Sequence, residues 1–122
     1  MFNNSILMSQ KMADYLWDKQ QVTLNNIANV STPGYKAQYV SFQDELKSKL
    51  DFYNQATASK IGEAIKETSI SVHTKADESS RLDGNNVNMD VEQVELAGAA
   101  IQYKMAIDNL NNEFNRIRAA MK

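Results

Sequence analysis

The chain contains no cysteine, and that absence alone removes several classes of protein. No disulfide framework can staple it, no thiolate can act as a nucleophile, and no cysteine metal site can form. A single histidine, His73, leaves zinc without a second nitrogen ligand. It also lies in a polar stretch with no G-x-S-x-G or similar element, so a loop histidine in solvent is the better reading than a catalytic base. The four glycines stand apart at positions 34, 62, 84 and 98, so no glycine-rich loop exists to cradle a phosphate. Charge of neither sign dominates: 13 basic and 15 acidic residues give a formal net charge of −2, with no basic stripe for nucleic acid. No apolar run approaches the ~20 residues of a membrane span. The amino terminus, MFNNSILMSQKMADYLW, lacks the basic start, apolar centre and small-residue cleavage site of a secretory signal. Composition therefore fits a soluble chain made in the cytoplasm, one small domain of 122 residues that calls for no cofactor, metal or small-molecule substrate.

What is present is helical periodicity at both ends. From about Asn4 to Val30, the apolar residues Ile6, Ala13, Trp17, Leu24 and Ile27 recur on one stripe, and Met8, Met12, Tyr15 and Val22 form a weaker second one. Pro33 disfavours helical angles at Thr32, so this helix ends by about Ser31. At the other end Leu96, Ala99, Tyr103, Ile107, Leu110, Phe114, Ile117 and Met121 follow a 3-4-4-3-4-3-4 spacing close to a heptad seam. A second stripe there holds Val91, Val94, Gly98, Ile101 and Met105. Asp90 suits the N-cap, with Gln93 at N3 and a Met89–Val94 staple. The expected fold is mainly α: two long terminal helices paired along their seams as an antiparallel coiled-coil hairpin.

The middle is harder to read. FQDELKSKL, residues 42–50, could add two helical turns, and SISVHT, residues 69–74, alternates like a short strand. The remainder reads as a polar, loop-rich insert with few apolar anchors. The acidic run DGNNVNMDVE fails as a calcium loop in both registers that start on Asp83 or Asn86, because neither places glycine sixth or glutamate twelfth. An Asp-Gly turn followed by a helix cap is the simpler reading.

One stretch resists the ordinary rules for a helix end. Asn25, Asn26 and Asn29 crowd into two turns although asparagine competes for backbone groups and weakens helices. Their amides either fix register between packed helices or cap the helix and turn, with Asn29 in the left-handed region. Thr32-Pro33-Gly34-Tyr35 then makes a type II reversal, with Pro33 presetting one central angle and Gly34 supplying positive φ at the next. Tyr35 leaves that turn aimed back at the helices.

NNIANVSTPGYKA, residues 25–37, resembles the signature shared by bacterial flagellar rod and hook proteins, where an Asn-Asn/Ser-Ile-Ala-Asn helix end runs into Thr-Pro-Gly-Tyr. In this chain the matching positions are Asn25, Asn26, Ile27, Ala28, Asn29, Thr32, Pro33, Gly34 and Tyr35. A second stretch, RLDGNNVNMDVEQVELAGAAIQYKMAIDNLNNEF, is similar to the carboxy-terminal segment of the family's proximal rod members. There Asp83, Gly84, Asn85, Asn86 and Val87 precede the acidic cap at Asp90 and a long helix. The short length also fits the proximal rod, since hook and distal-rod members carry far larger inserts.

The resemblance implies a non-enzymatic structural subunit, needed for motility, whose terminal helices stack with neighbouring copies into a helical tube. It implies three segments: residues 1–35 and 86–122 as the axial coiled coil, and residues 36–85 as a variable insert. The partners it implies are copies of the chain, other rod proteins, the MS-ring protein with its rod adaptor, and the flagellar type III export gate. The implied location is the basal-body rod across the periplasmic space, reached without a cleaved signal. A soluble helical adaptor or secretion chaperone, binding a partner helix in the groove of a stable hairpin, is the alternative.

Overall fold

The structure, a computed structural model, describes residues 2–42, 46–47, 58–76 and 81–121. Its elements in chain order are α1 (Phe2–Ala28), β1 (Gln38–Ser41), α2 (Ala58–Glu67), β2 (Ser71–Thr74) and α3 (Met89–Ala120). The two terminal helices are the dominant feature, about 40 and 48 Å long at 1.5 Å per residue. They run antiparallel, because contacts step from Asn26 with Glu92, through Lys19 with Glu95, to Trp17 with Tyr103. The expected mainly helical fold is present, and its first helix is displaced by two residues toward the amino terminus.

The helices meet through small residues. Ala13, Leu16, Ala99 and Ala106 form the buried centre, with Met12, Tyr15, Tyr103 and Ile107 packed around it. Of the expected seam, Ala13, Ala99, Tyr103 and Ile107 lie in this contact, and Ile6, Leu96, Leu110 and Ile117 are half-buried. Trp17 and Leu24 instead sit on its flank, 51% and 46% exposed, while Phe114 is 46% and Met121 81% exposed. The difference has a physical cause. Alanines let two helices approach closely, so Leu16, which belongs to neither stripe, becomes the residue that fills the space between them.

The described part of the middle holds more regular structure than its polarity suggests. SISVHT does hold a strand: β2 pairs antiparallel with β1, in the register Gln38↔Thr74 to Ser41↔Ser71. Helix α2 replaces an expected loop, and its Ile61, Ala64 and Ile65 sit at i, i+3 and i+4 on one face. Of FQDELKSKL, Leu46 and Lys47 are helical; residues 43–45 and 48–50 lie outside the described residues, as do 77–80 of the polar run before Arg81. Phe42, Leu46, Ala64 and Ile65 make a second core against Leu7, Met8, Met12 and Tyr15, with the Phe42 and Tyr15 rings 5.5 Å apart. So the second stripe of α1, apparently spare in the sequence, is covered largely by the chain's own insert. Burying Phe42 and Leu46 there is worth about 1.5–3 kcal/mol each. Gly62 permits the close approach of α2, since a Cβ there would lie 2.7 Å from Asn4 Oδ1. Among the described residues the second stripe of α3 has no such cover: Val91, Val94, Ile101 and Met105 are 44%, 72%, 63% and 60% exposed.

Candidate assembly site

The turn after α1 closes as its residues dictate. Tyr35 N donates to Thr32 O at 3.2 Å, and Gly34 holds φ at +73°, a value that L side chains resist. No atom would meet a Cβ at Gly34 within 4 Å, so its requirement is for backbone conformation and not for space. The reversal returns Tyr35 to the helix end. Its hydroxyl donates to Asn26 Oδ1 at 3.0 Å and accepts from Asn25 Nδ2 at 2.9 Å.

Asn26 is the centre of the arrangement. It is 1% exposed, and its amide uses every position it has. Nδ2 donates to Gln38 O at 2.8 Å and to Glu92 Oε2 at 3.1 Å; Oδ1 accepts from Gln38 N at 2.9 Å and from the Tyr35 hydroxyl. The paired bonds to Gln38 imitate a rung of sheet and anchor the start of β1. The bond to Glu92 ties α1 to the first turn of α3 across 66 residues of sequence. Asn29 has the local role instead: its Nδ2 donates to Asn25 O at 2.8 Å, and its Oδ1 accepts from Thr32 Oγ1 at 3.0 Å. The two amides that the sequence leaves between register fixing and capping bond differently: Asn26 reaches across to β1 and α3, and Asn29 bonds within the helix end and turn. Ile27 is half-buried, and Ala28 and Pro33 are exposed.

The second motif docks onto the first. Asn85, fully buried, donates from Nδ2 to the carbonyls of Asn29 at 2.8 Å, Val30 at 3.1 Å and Thr32 at 2.9 Å. Asn29 O and Thr32 O also accept backbone N–H groups of the turn, so Asn85 adds to that pairing and braces the end of α1 from the other half of the chain. Asn86 Oδ1 accepts from Ala37 N at 2.6 Å, Gly34 N donates to Asp83 O at 2.7 Å, and Lys36 Nζ donates to Gly84 O at 2.6 Å. Gly84, at φ +76°, faces Gly34: a Cβ on it would stand 3.7 Å from the Gly34 Cα. Val87 is buried beneath, its N–H donating to Asn85 Oδ1 at 2.8 Å. The residues that resemble family motifs from the two ends of the chain therefore form one hydrogen-bonded cluster.

Two features differ from the sequence reading. The N-cap of α3 is Asn88, whose side chain accepts from Val91 N, and Asp90 is an exposed first-turn acid. Asn88 is the cap because the helix begins at Met89, two residues earlier than an Asp90 cap allows. Glu92 carries no signal in the sequence, yet it is 5% exposed and accepts from Asn26. Nothing in the local pattern marks it; only the partner amide, far away in sequence, explains a buried carboxylate. Burial holds the Tyr35 phenol above its ordinary pKa; the Asn25 donor opposes this, and the Glu92 charge adds to it.

Among the described residues every buried side-chain nitrogen and oxygen has a hydrogen-bond partner, and no group of three His, Cys, Asp or Glu could hold a metal ion. His73 lies on β2, exposed, with Nε2 3.0 Å from Ser41 Oγ and its ring 5.2 Å from that of Tyr39. No described helix is long and apolar enough to cross a membrane.

Comparison with known proteins falls on these same residues. The family described as "Flagella basal body rod protein" matches residues 18–36, the second half of α1 with the turn. The chain is 35% identical over 106 residues to the flagellar basal body rod protein FlgB of Bacillus subtilis, covering 84% of this chain and 81% of that protein. It is 30% identical over 105 residues to the protein of the same name from Escherichia coli, covering 78% and 76%. Against the one from Buchnera aphidicola it is 31% identical over 135 aligned positions, covering 100% and 99%.

Proposed function

This chain belongs to the family of flagellar basal body rod proteins, and from that membership we propose that it is a subunit of the proximal rod. The family is structural and not enzymatic, and its members are components of the flagellar basal body, where they associate with other basal-body parts. The finer reading is that the paired helices α1 and α3 stack with copies of the chain and with other rod proteins in a helical tube. The MS-ring protein with its adaptor lies below, and the subunit arrives through the type III export gate. Segments 1–35 and 86–122 are the axial part, and segment 36–85 the part that varies.

The observation that carries this reading is the joining of the two motifs. The Asn-rich helix end and the Asp-Gly-Asn-Asn turn share one buried cluster, so both ends of the chain are held in one fixed relation, as a stacking unit requires. The test is a deletion strain complemented with a tagged copy, followed by electron microscopy of isolated basal bodies. The tag is expected on the ring-proximal rod, with swimming restored. A tag absent from basal bodies, or swimming unaffected by the deletion, would remove the proposal.

A further inference from the structure

We propose that the outer face of α3, from Val91 to Met105, receives the Trp17 flank of α1 from a second copy of this chain, so that copies pack in one direction. This rests on the rod reading and specifies which surfaces meet.

The receiving face is a heptad-spaced stripe of Val91, Val94, Gly98, Ile101 and Met105, whose four side chains are 44–72% exposed. Gly98 lies mid-stripe inside a helix, where glycine is costly relative to alanine. Its φ is not positive, and a Cβ there would meet no atom within 4 Å, so neither backbone nor packing within the molecule asks for glycine. A notch between Val94 and Ile101 instead suits a bulky side chain arriving from outside. The stripe carries no charged residue, and Glu95 beside it is bound to Lys19 at 2.7 Å, so the incoming surface is apolar and uncharged.

The chain supplies a bulky apolar ridge on its other flank, bordered by the exposed Asp14. Trp17 stacks on Tyr103 at 5.8 Å between centroids yet remains 51% exposed, and Leu24, seven residues on, is 46% exposed. Two grooves run along the helix pair: Trp17, Asp14 and Ile107 line one, while Gln102, Met105 and Asn109 line the other. Ridge and notch therefore lie on opposite flanks. A ridge on one side and a notch on the other give a heterologous contact, which repeats and does not close on itself. The size of the stripe agrees. Four side chains and the glycine notch over about 21 Å of helix offer on the order of half the ~800 Å² per partner of a standard interface. One such contact is transient; a row holding each copy on both flanks is not.

Because the chain has no cysteine, introduced ones report proximity directly. Full-length Gln21→Cys, exposed on the Trp17 flank, and Gln102→Cys, exposed beside the stripe, are mixed at high concentration with a short bis-maleimide. The mixed 21–102 crosslink is expected to exceed either like-with-like product several-fold. Predominant 102–102 crosslinks, equal yields of all three products, or no crosslinks would each overturn the proposal. Gly98→Leu in the Gln102→Cys chain is expected to cut the mixed crosslink several-fold while raising the thermal midpoint of the isolated protein. An unchanged yield would overturn it. Basal bodies that incorporate Gly98→Leu and drive normal swimming would refute this packing alone; absence of the unaltered chain from basal bodies would refute the rod reading itself.

Discussion

Removing the Asn26 side chain should separate this molecule from an ordinary helical hairpin. Asn26→Ala deletes four hydrogen bonds and strands the Gln38 N–H and C=O, the Tyr35 hydroxyl and the Glu92 carboxylate. A neutral bond contributes about 1 kcal/mol net and one to a charged group about 1.5–3 kcal/mol. Tyr35 keeps Asn25, and half-buried Gln38 regains some water, so the simple sum is too large. The expected loss is about 3–5 kcal/mol, against roughly 6–18 kcal/mol for the whole folding free energy of a chain this size. Asn25→Ala is the control one residue away. Asn25 is exposed and gives Tyr35 a single bond, so the expected loss is about 0.5–1 kcal/mol. Urea unfolding of the full chain, followed by far-ultraviolet circular dichroism, measures both, with equal m-values as the check that only stability changed. Two variants within about 1 kcal/mol of each other would refute the idea that Asn26 organises the core of the site.

Gly34→Val should lose about 1–2 kcal/mol or more through positive φ alone, and Gly34→Asn clearly less; both are read from urea midpoints, and in cells the valine variant should swim poorly in soft agar. Because folding raises the Tyr35 pKa, the fold retains the phenolic proton more tightly than the unfolded chain does. The stability this provides is complete below the ordinary tyrosine value near ~10 and is lost as pH rises through the raised one. Tyr35→Phe should therefore flatten the alkaline limb of a stability–pH curve, although other tyrosines leave some slope. Asn88→Ala should cost about 0.5–1 kcal/mol and Asp90→Ala less, measured in the same titrations, because Asn88 is the cap.

The long helices were legible because a heptad rhythm sustained over many turns survives local noise, and because Pro33 ends one of them unambiguously. Their contact was legible only in part: Ala13, Ala99, Tyr103 and Ile107 of the heptad seam lie in it. Periodicity weights large apolar residues, so it favoured Trp17 and Leu24, whereas the helices meet through Ala13, Ala99 and Ala106, whose hydrophobic signal is slight. Helix α2 hid for a similar reason: Ile61, Ala64 and Ile65 do trace one face, but Gly62 and the surrounding charges dilute it. Asn26 was visibly out of place, and that oddity was informative. Its partners were beyond reach, since Gln38 contributes only backbone and Glu92 stands 66 residues away.

The clasp between Gly34 and Asp83, and between Ala37 and Asn86, means that the middle of the polypeptide departs and returns through a single doorway. Closing a loop depends only logarithmically on its length, so a doubled middle would weaken the clasp by about 0.6 kcal/mol. A lineage could therefore lengthen, shorten or redecorate that portion, provided the patch over α1 is kept, while the girders on either side stay where they are.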